Sequence, residues 1–119
     1  MSVPVIIEPQ AKADLRHAVA WWSENRSQEQ ALRWYNGIRD AIDTLADHPP
    51  RCALARENPK SDDELRELHF GLGSRPTHRV IFVVDPAAVR VLAVRHVAQG
   101  REKGTFYFFD ARLTGRVPR

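Results

Sequence analysis

The chain has a single cysteine, Cys52, among its 119 residues. That excludes a disulfide framework within the chain and makes a reducing cytoplasm the expected setting. Cys52 lies in a Pro-flanked stretch with no nucleophile motif around it, so no catalytic role is read from it. No apolar run approaches the roughly 20 residues of a membrane span. Met1-Ser2-Val3-Pro4 also lacks the basic region and apolar core of a signal peptide, so no membrane partner is expected. Internal repeats, low-complexity tracts and linkers are absent too. Residues 1–119 therefore read as a single domain, with a core over about 3–100 and a C-terminal tail over 101–119. A domain of this length can bury a core without metal or disulfide support. Excess charge of one sign is small: 18 Lys and Arg stand against 15 Asp and Glu, a net +3. This balance is compatible with a nucleic-acid or acidic-protein partner and selects neither.

What the chain does have is periodicity. Val3 to Ile7 is short, apolar and β-branched, and reads as a strand. Pro9 then suits the first turn of a helix. Ala11, Leu15, Ala18, Val19 and Trp22 fall on one helical face, closed by Glu24-Asn25-Arg26. Ser27-Gln28-Glu29-Gln30 matches a capping box, with Ser27 accepting from the amide three residues on. A second helix follows, with Ala31, Trp34, Tyr35, Ile38, Ile42 and Leu45 on its apolar stripe and His48-Pro49-Pro50 as its stop. Residues 49–63 show no periodicity and read as a long loop. Three β-rich runs come next: Leu65 to Phe70, Arg79 to Val84 and Val89 to Val97. The last two flank the turn Asp85-Pro86-Ala87-Ala88, which predicts an antiparallel hairpin. The expected fold is α+β: an N-terminal strand, an antiparallel helical hairpin, then a three-stranded, mainly antiparallel sheet with an aromatic C-terminal tail.

The order of these pieces resembles the RelE/ParE superfamily of toxins from type II toxin–antitoxin modules. The likeness covers about Val5 to Gly100. It rests on the strand-Pro-helix start with Asp14-Leu15, on Leu45-Ala46-Asp47-His48-Pro49, and on the strands Leu65-Arg66-Glu67-Leu68, Arg79-Val80-Ile81-Phe82 and Val91-Leu92-Ala93-Val94-Arg95-His96. The resemblance implies a RelE/ParE-like fold and a growth inhibitor neutralised by a cognate antitoxin protein in a hetero-oligomer, with no cofactor and no metal. Its branches differ in target. RelE-like members cleave mRNA on the ribosome, whereas ParE-like members inhibit DNA gyrase.

Metal-free RNA cleavage needs proton transfer at the ribose 2′-hydroxyl and the leaving oxygen, with cations to hold the phosphate charge. Arg66, Arg79, Arg95, His96 and Tyr107 are the candidate catalytic residues under that reading. Arg66 and Arg79 could equally pair with Glu64, Glu67 or Asp85, and His96 could be a hydrogen-bonded strand-end residue. A zinc site from His69, His78 and His96 is conceivable but has no ligand spacing to support it. Trp21 lies to one side of the apolar face of its helix and could receive a partner. Phe106 to Phe109 could be an edge strand, a core plug or an antitoxin contact. The ending Val94-Arg95-His96-Val97-Ala98-Gln99 resembles that of ParE-like and unassigned members, which favours a toxin without a nuclease site, with ParE-like action on gyrase as the leading reading. The ribonuclease is the alternative, and an inactive member that only binds its antitoxin is a third reading.

Overall fold

The computed structural model describes residues 3–58 and 63–98. Its elements run β1 (Val5–Ile7), α1 (Pro9–Asn25), α2 (Gln28–Asp43), β2 (Arg66–Phe70), β3 (His78–Val84) and β4 (Val89–His96). Two short 3-10 turns, Thr44–Ala46 and Pro49–Arg51, follow α2. The expected α+β fold is present. Tyr107 and the Phe106–Phe109 cluster lie outside the described residues.

Each helix forms for a local reason. Pro9 opens α1, where its missing N–H leaves no bond unmade. Ser27 caps α2 and accepts from the Gln30 amide at 3.1 Å, as the capping box predicts. Ala31, Trp34, Ile38 and Ile42 are buried along α2 at helical spacing. Gly37 lets α2 lie close over the sheet, because a β-carbon there would stand 2.6 Å from Phe70 Cζ. Beyond α2 the chain turns sharply at His48, which adopts φ 48° before Pro49. Arg51 steadies this corner through Nη1 to the Asp47 carbonyl at 2.7 Å and Nη2 to Thr44 Oγ1 at 2.7 Å. A guanidinium satisfying the last carbonyls of a helical run is favoured by the helix dipole.

The four strands lie in the order β1-β4-β3-β2. β2, β3 and β4 are antiparallel neighbours, and β1 joins in parallel with Val5 opposite Val89 and Ile7 opposite Val91. The β3–β4 turn is held by Asp85, whose Oδ1 accepts the amides of Ala87 and Ala88. Between Ile81 and Phe82 the register jumps from Ala93 to Val91, which leaves Leu92 as an extra residue in β4.

One sheet face packs on the helices. Its core is built from Leu15, Trp34, Ile38 and Ile42 against Val80, Phe82, Val91 and Val94. The other face carries a smaller core of Ile81 and Ala93 beneath Ala55 and Leu65. The stretch read as a long loop supplies the Ala55 part of that cover. Ala55 N–H donates to the Leu65 carbonyl at 2.8 Å, and Glu67 N–H donates to Ala53 O at 3.0 Å. Leu54 forms an antiparallel bridge with Arg66 alongside β2.

Candidate functional site

β3 places its side chains alternately on the two sheet faces, and this separates the residues selected from the sequence. Arg79 points away from the helices and is fully buried. Its Nη1 donates to Glu57 Oε1 and Glu67 Oε1, both at 2.9 Å, and its Nη2 donates to Glu57 Oε2 at 2.6 Å. Glu67 also contacts His69 Nε2. Burial works against the Arg79 charge, but Glu57 and then Glu67 outweigh it and raise its pKa above the ordinary value. Burial likewise pushes the Glu67 carboxyl up, yet hydrogen bonds from His69 and Arg79 prevail and hold it below the usual range.

Arg95 sits opposite Arg79 in the β-ladder but turns to α1, with Nη1 2.7 Å from Asp14 Oδ2. The same Asp14 oxygen accepts the Val94 amide at 2.9 Å. One carboxylate thus ties α1 to the stretch of β4 beyond its pairing with β1. Arg66 belongs to the other sheet face. It donates to the carbonyls of Cys52 at 2.5 Å and Pro50 at 3.3 Å, and pairs with Glu64 at 2.8 Å.

His96 stands opposite His78, ring on ring at 5.4 Å, and His78 meets Trp34 at 4.8 Å. Burial, with the His96 charge second, lowers the His78 pKa to about 4. His69 is paired with Arg79 in register, on the face opposite His78 and His96, so the three histidines do not converge. Among the described candidates, then, Arg79 and Arg95 share a register position without a shared opening to solvent. Arg66 and His96 lie on the helix-covered side.

Glu57 is the residue that sequence reasoning missed. It lies 22 positions from Arg79 in a stretch with no periodicity, and nothing local marks its partner. A buried arginine always needs a carboxylate or an equivalent acceptor, so a central-strand arginine such as Arg79 was the one available signal that an acid must come from elsewhere.

An open groove of about 700 Å³ lies between β1, α1 and α2. Ile6, Leu15, Val19, Leu32 and Tyr35 make its apolar lining, and Lys12, Arg16, Arg39 and Asp43 its charged parts. Leu32 is 62% exposed and Ile6 37%, so the lining reaches solvent. At the tip of the helical hairpin, Trp21 is also exposed, edge-on to Trp22 and beneath the Arg26 guanidinium.

Residues 5–100 match a family described as the ParE toxin of the type II toxin–antitoxin system parDE. The chain belongs to this ParE family. No curated protein is similar enough to match. Among the solved structures that match, two illustrate the shared fold. One, described as the chromosomal ParDE toxin–antitoxin system from P. aeruginosa, has a TM-score of 0.64 at 19% identity, covering 81% of this chain and 97% of that one. The other, a free-state mutant of the E. coli toxin RelE, has a TM-score of 0.56 at 11% identity over 99% and 100% of the two chains. At these identities the likeness is one of architecture. The ParE assignment supports a cognate antitoxin as partner, and the expectation of a RelE/ParE-type toxin is met.

Proposed function

We propose that this ParE-family toxin arrests growth by binding DNA gyrase, and that a cognate antitoxin silences it by covering the groove between β1, α1 and α2. The observation that carries the choice of gyrase over RNA is the state of Arg79. An arginine that stabilises a scissile phosphate must offer its guanidinium to solvent and substrate. Here both terminal nitrogens are taken by Glu57 and Glu67 under a fully buried surface. Two carboxylates on that face also set a negative charge where an RNA phosphate would have to approach. Arg79 is read instead as the pin that holds residues 53–58 on the sheet.

The family match to parDE toxins supports the same target. The groove supports the antitoxin, because exposed apolar lining beside cationic groups suits an amphipathic protein segment. The test is induction of the protein alone, with growth followed and mRNA 5′ ends mapped over the first minutes. Growth arrest with intact messages is the expected outcome. Early cuts at codon positions on translated messages would replace this reading with the ribosome-dependent endoribonuclease.

A further inference from the structure

Charge in the groove is one-sided. Lys12, Arg16 and Arg39 line it against one acid, Asp43. Among the described residues none of these three cations pairs with a carboxylate, while Arg66, Arg79, Arg90 and Arg95 all do. Arg39 stands out further. Its Nη1 donates to Tyr35 Oη at 2.9 Å, and its guanidinium carbon lies 5.8 Å from the centre of the Tyr35 ring. Its Nε is shielded from water and has no hydrogen-bond partner among the described residues. A charged donor left in that condition is costly, and a carboxylate is the acceptor that matches the fork of a guanidinium.

We propose that Arg39 and Tyr35 form a carboxylate-binding subsite in the groove, and that it selects an acidic, amphipathic segment of the antitoxin. Nη2 meets one carboxylate oxygen, and a turn of the guanidinium brings Nε to the other. The Tyr35 hydroxyl, accepting from Nη1, keeps its own proton to donate to the same carboxylate. Apolar residues of the segment fill the space over Ile6, Leu15 and Leu32. Lys12 and Arg16, one helical turn apart on α1, meet further acids along its edge.

Charge also discriminates among occupants. Residues 101–119 carry Arg101, Lys103, Arg112, Arg116 and Arg119 against Glu102 and Asp110, the same sign as the groove. A second copy of the chain has a net charge of +3. An acidic segment is the complementary one.

This inference rests on the reading of the protein as an antitoxin-bound toxin, and its test is independent of gyrase. The measurement is the Kd of the full-length chain for its purified cognate antitoxin at low and high salt. The chain is taken as wild type, Arg39→Gln, Arg39→Lys and, as an outward-facing control, Arg33→Gln. Arg39→Gln is expected to weaken binding about tenfold or more and to reduce its salt dependence. Arg39→Lys recovers little, because it restores charge without the fork. Arg33→Gln changes nothing. One Asp→Asn or Glu→Gln substitution in the antitoxin then has no additional effect in the Arg39→Gln background, the signature of a direct pair.

Binding by Arg39→Gln within twofold of wild type would overturn the subsite, as would strictly additive effects of the antitoxin substitutions. Self-association of the toxin that Arg39→Gln abolishes would assign the groove to a second copy. Tighter antitoxin binding on removal of residues 101–119, to the same value in wild type and Arg39→Gln, would assign it to the tail. Thermal unfolding of each variant separates loss of the subsite from loss of the fold. Failure of the gyrase reading would show as unaffected supercoiling with these affinities unchanged.

Discussion

At the scale of single residues, the Arg79 cluster dominates. Two carboxylates and one guanidinium share a buried space, so removing the cation strands the acids. Arg79→Ala is expected to destabilise the fold by about 3–5 kcal/mol, the usual result of breaking a buried pair from one side. Urea unfolding would measure it. The paired change Arg79→Met with Glu57→Gln should recover most of that loss, because the fully buried acid is then neutral and Glu67, at the edge of the cluster, keeps its contact with His69. If the paired variant folds and still arrests growth, Arg79 is structural. Loss of activity by orders of magnitude in that folded variant would restore a direct role for it in the chemistry.

His78 gives a second residue-scale prediction. Its pKa is lowered to about 4 in the fold, against about 6.5 for a free side chain. The unfolded chain therefore binds more protons between these values, and stability rises with pH across them. Full stability is expected above about pH 6.5. It should fall by up to about 3 kcal/mol on the way down to pH 4. Glu67, whose pKa is lowered, adds loss in the same direction once the pH drops below the ordinary carboxylate range. His78→Phe should flatten the slope between pH 4 and 6.5. An unchanged slope would contradict the assignment.

At the scale of elements, the β2–β3 connection turns tightly at Gly71, where a β-carbon would lie 2.3 Å from the Arg75 carbonyl oxygen. Gly71→Ala is expected to cost about 1–3 kcal/mol, like other overpacked sites, visible as a lowered Tm. Ser27→Ala should cost about 1 kcal/mol through loss of the α2 cap. The cap, the Pro9 start and the Asp85 turn were legible in the sequence because each acts within three or four residues of itself. Both helices and the three main strands were legible for the same reason, through their periodicity. The parallel seat of β1 beside β4 was not, since Val5 and Val89 are paired only by tertiary packing. Nor was the cover formed by residues 53–55, whose hydrogen bonds to 65–67 belong to no local pattern. The candidate site was hardest of all. Arginine at a strand position reads alike whether it faces phosphate or a buried acid, and only the position of Glu57 separates the two.

At the scale of the whole molecule, the sheet divides the chain into a sealed side and an open one. Arg79, Glu57 and the small core around Ile81 close the face away from the helices. The groove beside α1 and α2 remains open, with exposed leucine and cations that have no carboxylate partner among the described residues. This polarity favours action through protein contacts over chemistry on a nucleic acid. No helix among the described residues is long and apolar enough to cross a membrane. Trp21, near the tip of the helical hairpin, is exposed as well. Trp21→Ala should leave stability almost unchanged; a loss of growth arrest without a loss of antitoxin affinity would mark the tip as a target contact.

The central claim is tested most directly by a supercoiling assay with purified DNA gyrase and the purified full-length chain, alone and with its antitoxin. Loss of supercoiling in proportion to added toxin, restored by antitoxin, is the result predicted here. Full supercoiling in the presence of a folded toxin that still arrests growth would contradict it.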